Sequence, residues 1–181
     1  MKEKKFFDQV LEGNQMKEVV KVMLEKSGYL VLPYGYESTL SGLRRRLREK
    51  GTKKSRTVRR IRASPDLLVY DDEKKDLMLV EVKMRNAKKE TEILIYPHFV
   101  ANYKEFWNDS ILVVVVPCGN IFYAQGVGEL EVKGEYNATL EFEKFEDIFS
   151  RVKKEDISHF KTKALQIMKT SKLQENRKPL L

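Results

Sequence analysis

Cysteine and histidine are almost absent from this chain. Its 181 residues include one cysteine, Cys118, and two histidines. A single cysteine excludes an internal disulfide and fits a reducing compartment. Zinc and iron–sulfur sites usually need several cysteine or histidine ligands, so the composition argues against both. We therefore expect any bound metal to be held by oxygen ligands.

Long apolar runs are absent as well. The longest, Ile111–Val116, is far shorter than the roughly 20 residues that a membrane span needs. The first seven residues are too charged for a signal peptide. Apolar residues make up 41% of the chain and charged residues 34%, as in globular proteins. We expect a cytoplasmic protein with no membrane partner, folded as a single domain over residues 1–181.

Acidic residues are scarce in one segment. Between Ser38 and Ala63 there are eleven basic side chains and one acidic side chain, Glu49, whereas the whole chain has a net charge of +8. A charge run is often only a solvated face, but so many unpaired arginines favour a polyanionic partner, and arginine matches phosphate geometry. We expect this basic arm to bind a nucleic-acid backbone. The side chains predicted to do so are Arg44, Arg45, Arg48, Lys53, Lys54, Arg56, Arg59, Arg60 and Arg62.

A β-hairpin is predicted between Ser64 and Lys83. Leu67–Tyr70 and Leu77–Val82 are short apolar runs of strand length, and the six residues between them are charged. Such a charged stretch suits a solvated turn.

Two carboxylates and a lysine meet at the open end of this hairpin. If Tyr70 faces Leu77, antiparallel pairing places Asp66 opposite Glu81, with their Cβ atoms about 4.5–5.5 Å apart. Strand alternation places Lys83 on the same face as Glu81. Two facing carboxylates repel each other, so the arrangement needs a cation or a shared proton.

This geometry is typical of a metal-assisted hydrolase. Oxygen ligands suit Mg²⁺ or Mn²⁺, and either ion can also hold a phosphate oxygen. Lys83 is suitably placed to orient or help deprotonate a water molecule that attacks a phosphodiester. Pro-Asp or Glu-x-Lys alone is common at solvated strand ends, but their combination at hairpin spacing is much more specific.

Pro65-Asp66 together with Glu81-Val82-Lys83 resembles the motif of the PD-(D/E)XK nucleases, the restriction-endonuclease-like superfamily. The resemblance implies an α/β fold with an αβββαβ core and a mixed central sheet flanked by helices. It also implies a Mg²⁺ or Mn²⁺ ion held by Asp66, Glu81 and the Val82 carbonyl, with Lys83 assisting hydrolysis.

The same resemblance raises the question of a third acid. In the family the first core helix often brings one to the metal site. Glu18 on the predicted first helix matches that pattern, and Glu25 is the rival.

The narrower resemblance is to archaeal-type Holliday junction resolvases, although the basic segment is longer than expected there. It implies a DNA substrate and a two-fold homodimer, whose interface we place by elimination in the C-terminal helices, 140–172. Two alternatives remain open: a restriction-type or host-defence endonuclease, and a nucleic-acid-binding protein with a decayed site. RNA is not excluded as a substrate.

Periodicity gives the remaining elements. The first helix is predicted to follow a break at Gly13-Asn14. The predicted helices are Gln15–Ser27 ending at Gly28, Leu40–Gly51, the later part of Glu92–Trp107, Leu140–Val152 and Ile157–Lys172, and the predicted strands are Tyr29–Pro33, an extension over Thr57–Arg62, Ile111–Val116 and Ile121–Gln125.

Overall fold

The computed structural model describes residues 2–36, 42, 55–85, 87–89, 92–93, 95, 97–116, 121–130 and 143–176. For 2–12, 87–89, 92–93, 143–144 and 169–176 it describes the backbone alone. Apart from Gly42, the predicted helix Leu40–Gly51 lies outside these ranges, as does the chain end after residue 176.

Helices and strands are interspersed along the chain. In order they are α1 Lys2–Lys26, β1 Leu30–Pro33, α2 Arg56–Arg62, β2 Leu67–Asp71, β3 Asp76–Met84, β4 Ala87–Lys89, β5 Glu92–Ile93, α3 Pro97–Phe106, β6 Ile111–Val115, β7 Phe122–Gly126, a 3₁₀ turn Val127–Glu129, β8 Glu143–Lys144, α4 Phe145–Ile148 and α5 Lys154–Asn176. None of the described helices is long and apolar enough to cross a bilayer.

Six of the strands form one mixed sheet. Their order is β1-β2-β3-β6-β7-β8, and the pairing of β3 with β6 is parallel while the other pairings are antiparallel. The elements α1, β1, β2, β3, α3 and β6 follow the αβββαβ order along the chain. The predicted α/β fold with a mixed central sheet is therefore confirmed.

Strand β6 is buried on both faces, as its uninterrupted apolar run predicts. Val113 and Val115 belong to the core under α1 and α5, whereas Leu112 and Val114 belong to a second core under α3. The sheet is therefore covered by helices on both faces at its centre. This burial fixes β6 beside β3, the strand that carries Glu81.

Helix α1 is longer than predicted, because the expected break at Gly13-Asn14 does not occur. A single glycine in a helix costs only about 1 kcal/mol, and the residues around it favour helix. The predicted apolar stripe is confirmed: its members pack into the core, and they are Met16, Val19, Val20, Met23 and Leu24.

Gly28 ends α1, as predicted. Its φ of 90° lies in the left-handed region that favours glycine. The amide of Tyr29 donates to the Leu24 carbonyl at 3.1 Å, and the Gly28 amide donates to the Glu25 carbonyl at 3.0 Å. These bonds satisfy the last helical carbonyls and turn the chain into β1.

Arg151 ties three parts of the fold together, and no signal in the sequence singled it out. Its guanidinium lies 3.4 Å from the buried carboxylate of Asp71 and also pairs with Asp72, both at the β2–β3 turn. It also lies 5.3 Å from the ring centroid of Tyr29. A Cβ atom at Gly28 would collide with this guanidinium.

Two predicted elements are wrong. Thr57–Arg62 is not a strand extension but lies in helix α2, because the arginines favour helix and α2 packs against α3. Leu140–Val152 is not one helix: within its described part, β8 pairs with β7 before the short α4 begins. Glu143 and Lys144 pair with the edge of β7, although the helical pattern alone assigns them to the helix.

The two glycines of the α1 region should respond oppositely to alanine. Gly13 has nothing within 4 Å of an added Cβ, so Gly13→Ala should raise the free energy of unfolding by about 0.5–1 kcal/mol. Gly28→Ala should lower the free energy of unfolding by at least about 1–2 kcal/mol. The φ of residue 28 is unfavourable for alanine, and the added Cβ would collide with Arg151. Urea unfolding measures both. Destabilisation by Gly13→Ala would contradict a helix that runs through residue 13.

Candidate active site

The hairpin register agrees with the prediction. Tyr70 pairs with Leu77 and Leu67 pairs with Val80, so the next pair at the open end is Asp66 with Glu81. Asp66 lies immediately before β2, and Glu81 lies within β3.

The backbone around Asp66 is held from two sides. Its carbonyl accepts hydrogen bonds from the amides of Tyr34 at 2.9 Å and Gly35 at 3.2 Å. Its carboxylate atom Oδ2 accepts a hydrogen bond from the amide of Val82 at 3.1 Å. The Asp66 carboxylate is therefore fixed against β3, next to the residue that follows Glu81.

Glu81 is the most unusual side chain of the described part. It is 1% exposed, and its atom Oε2 is buried with no hydrogen-bond partner among the described residues. Oε1 forms an ion pair with the ammonium of Lys83, which confirms that the two side chains share a face. Burying half of a carboxylate without a partner is costly, so Oε2 is suited to a ligand.

The electrostatics of Glu81 follow from this burial. The pKa of Glu81 is raised from 4.5 to about 7, mainly by burial, and the negative charge of Asp66 acts in the same direction. The ammonium of Lys83 and the hydroxyl of Tyr103 act in the opposite direction. Burial also raises the pKa of Tyr103, so this hydroxyl stays protonated beside Glu81. The site can therefore gain or lose a proton near neutrality.

The sequence did not point to Lys17, which also reaches the site. Its Nζ atom lies 2.6 Å from Asp66 Oδ1, and the lysine side chain is 30% exposed. Lys17 follows Met16 of the buried stripe, and that border position is a signal that could have found it.

Among the described residues, no third acid joins Asp66 and Glu81. The side chain of Glu18 lines the same cleft but is 65% exposed, and its carboxylate lies 3.5 Å from Lys21. Glu25, also on α1, lies 3.2 Å from Lys21. Within the described ranges, no group of three or more histidine, cysteine, aspartate or glutamate side chains could hold a metal. The role of Glu18 stays a prediction.

A cleft of about 890 Å³ opens over the acidic pair. Arg59 and Arg62 of α2 line it, together with Lys17, Lys83 and residues of α3. Of the other predicted nucleic-acid-binding residues, Arg56 and Arg60 line a neighbouring pocket. The remaining five lie outside the described residues, and they are Arg44, Arg45, Arg48, Lys53 and Lys54.

Three of the four arginines of α2 have partners, although the sequence predicts them to be unpaired. Arg59 donates to Glu105 at 3.1 Å, and the guanidinium of Arg56 lies 3.4 Å from the same carboxylate. Arg60 lies 5.2 Å from the ring centroid of Trp107. These partners come from the end of α3 and its following turn, far along the chain, so the local charge count did not reveal them.

The sequence comparisons give no match: no family model and no curated protein matches this chain. Among solved structures, it is similar to Hjc from Archaeoglobus fulgidus, described as a Holliday junction resolvase from an archaeal hyperthermophile. The two chains share 14% sequence identity, and the match covers 77% of this chain and 99% of that one. The TM-score is 0.47.

The donor set of the site fits a hard divalent cation. Mg²⁺ commonly uses one or two carboxylates and keeps several waters, so Asp66 and Glu81 suffice as protein carboxylates. The buried Oε2 of Glu81 lacks a partner among the described residues, as a ligand position would. In a strand, the amide and the carbonyl of one residue point to the same side, and the Val82 amide points to Asp66. Its carbonyl therefore faces this side too.

Replacing Glu81 by glutamine tests the burial of its charge. With a pKa raised to about 7, the folded state holds a proton more tightly than the unfolded chain does. Stability should therefore fall as the pH rises from about 4.5 to about 7, by up to about 3 kcal/mol in the metal-free protein.

Glu81→Gln removes that penalty. In urea unfolding with a chelator present, the variant should be more stable than wild type at pH 8 and should differ little at pH 5. Glu155→Gln is the matched control, because Glu155 lies at the start of α5 and is exposed, so its charge is not desolvated. Equal pH dependence of wild type and Glu81→Gln would contradict the buried charge.

Proposed function

We propose that this chain is a Mg²⁺-dependent or Mn²⁺-dependent nuclease that hydrolyses DNA phosphodiester bonds. One observation carries the proposal. Asp66 and Glu81 meet across neighbouring strands, one buried oxygen of Glu81 has no hydrogen-bond partner among the described residues, and Lys83 lies on the same face as Glu81. Two neighbouring carboxylates, one of them buried, destabilise the fold when no ligand binds them. A metal-binding hydrolase needs this arrangement to hold its cation.

Asp66, Glu81 and the Val82 carbonyl would hold the cation. When bound, it would polarise the phosphodiester and lower the pKa of a coordinated water. The chain's own contribution is to fix the ligands: the Val82 amide orients Asp66, and the ladder between β2 and β3 sets its distance from Glu81. Burial keeps water away from Glu81 and strengthens its interaction with any cation.

Lys83 would hold and orient the attacking water and offset phosphate charge. Its ammonium pairs with Glu81 and lies 5.2 Å from the ring centroid of Phe99. Phe99 also stacks against Tyr103, with ring centroids 4.5 Å apart. These contacts restrict the movement of the lysine, which lines the same cleft as Asp66.

The basic arm would bring the polyanionic substrate to an acidic site. Arg59 and Arg62 line the cleft that also contains Asp66 and Glu81, so a phosphate backbone bound by α2 would pass directly over the carboxylates. Backbone contacts of this kind position a substrate without reading its sequence. The proposed preference for branched DNA and the two-fold homodimer are finer parts of the same proposal.

Single substitutions in the acidic pair and in the lysine should separate cleavage from binding. Asp66→Asn and Lys83→Met should each lower cleavage by at least about a thousandfold, because each removes a group that acts on the reacting atoms. Binding of DNA, measured with Ca²⁺ in place of Mg²⁺, should fall much less. The assay uses four-way junctions, single strands and plain duplexes of DNA and RNA, with and without Mg²⁺.

Each outcome of that assay has a defined meaning. Preferential cutting of four-way junctions supports the resolvase-like form of the proposal, and cutting of plain duplex at one sequence supports the restriction-type alternative. Metal-independent binding with no cleavage of any substrate would indicate a decayed site. Cleavage that survives both substitutions would show that the active site lies elsewhere.

Arg62 should contribute to substrate binding in a salt-dependent manner. Arg62→Ala should weaken DNA binding and reduce the slope of log affinity against log salt by about one, as expected for one lost phosphate contact. Lys74→Ala is the control, because Lys74 is exposed and lies in the β2–β3 turn, at the opposite end of the hairpin from Asp66 and Glu81. Fluorescence anisotropy at several salt concentrations measures both slopes. Equal slopes for the two variants would place the substrate elsewhere.

A further inference from the structure

Helix α1 presents a cation to the acidic pair. Lys17 Nζ lies 2.6 Å from Asp66 Oδ1, while Oδ2 of the same carboxylate is held by the Val82 amide. The nearest glutamate along α1, Glu18, is 65% exposed and pairs with Lys21. The helix therefore supplies a lysine where a third carboxylate would otherwise be expected.

The charges of the site suit one divalent cation. When both acids are ionised, Asp66 and Glu81 are balanced by Lys17 and Lys83. One divalent cation would leave two positive charges, which match a phosphodiester anion together with an attacking hydroxide. A second cation would need further anionic ligands, and none joins the pair in the described part of the chain.

We propose that Lys17 takes the place of a third acidic ligand, so that the site binds a single divalent cation and the Lys17 ammonium binds the phosphodiester of the substrate. This inference rests on the proposed nuclease function and deepens it. In the metal-free protein, Lys17 acts as an internal counter-ion of Asp66. When Asp66 takes up a cation, the lysine is released toward the open cleft, which it lines together with Arg62.

The two roles of Lys17 have opposite consequences. Without Lys17, a metal no longer competes with an ammonium for Asp66, so metal affinity should rise. Without Lys17, the loaded site has one positive charge fewer, so affinity for the substrate phosphate should fall. A residue that only supported α1 would not produce these opposite signs.

The first measurement is Mn²⁺ binding by isothermal titration calorimetry, with electron paramagnetic resonance to show whether bound ions are isolated or coupled. Wild type and Lys17→Met should each bind one isolated Mn²⁺ per chain. Lys17→Met should bind it about tenfold more tightly, the effect of losing one charged hydrogen bond at the ligand. Lys21→Met is the control: it lies one turn along α1 and pairs with Glu18 and Glu25 rather than Asp66.

The second measurement is DNA binding in Ca²⁺, which supplies the cation. Lys17→Met should bind DNA about tenfold more weakly than wild type, because a charged contact to phosphate is lost. In the first measurement, the control Lys21→Met should bind Mn²⁺ as tightly as wild type does. Circular dichroism of both variants checks that α1 remains folded.

The outcomes separate this inference from the nuclease proposal. Tighter Mn²⁺ binding with weaker DNA binding in Lys17→Met supports it. Two coupled Mn²⁺ ions in wild type, or changes in Lys17→Met that have the same sign in both assays, would overturn the role of Lys17 and leave the nuclease proposal intact. No Mn²⁺ binding by wild type would overturn both.

Discussion

The buried carboxylate of Glu81 beside Asp66 is the constraint on which the rest of the site depends. A folded protein does not keep two such anions together at the end of a hairpin without compensation. Here Lys83 neutralises one of them and Lys17 the other, while Tyr103 supplies a nearby hydroxyl. One oxygen of Glu81 still has no hydrogen-bond partner within the described residues, and a divalent cation would bind this oxygen.

The surrounding elements of the fold hold these groups in place. The antiparallel pairing of β2 with β3 fixes the position of the two acids relative to each other. The parallel neighbour of β3, β6, helps to bury β3. Helix α1 lies on one face of the sheet and contributes Lys17, while α3 lies on the other and contributes Tyr103. Arg151 anchors the turn of the same hairpin through Asp71, so the end that carries the two acids and the anchored end belong to one hairpin.

Much of this could be predicted from the sequence because it depends on local rules. Strand alternation and the charged turn determine the register that pairs Asp66 with Glu81, and the apolar run of β6 predicts a strand buried on both faces. What could not be predicted depends on contacts between distant segments. Lys17 meets Asp66 only because α1 packs across the sheet, and Glu105 pairs with Arg56 and Arg59 only because α3 ends beside α2.

The central claim is that Asp66 and Glu81 form a cation site. Anomalous X-ray diffraction from crystals grown with Mn²⁺ tests it most directly. The account predicts one anomalous peak within about 2.5 Å of both Asp66 and Glu81 Oε2, with the Lys17 ammonium moved away from Asp66. A map with no peak there at saturating Mn²⁺, and with Lys17 still bound to Asp66, would contradict it.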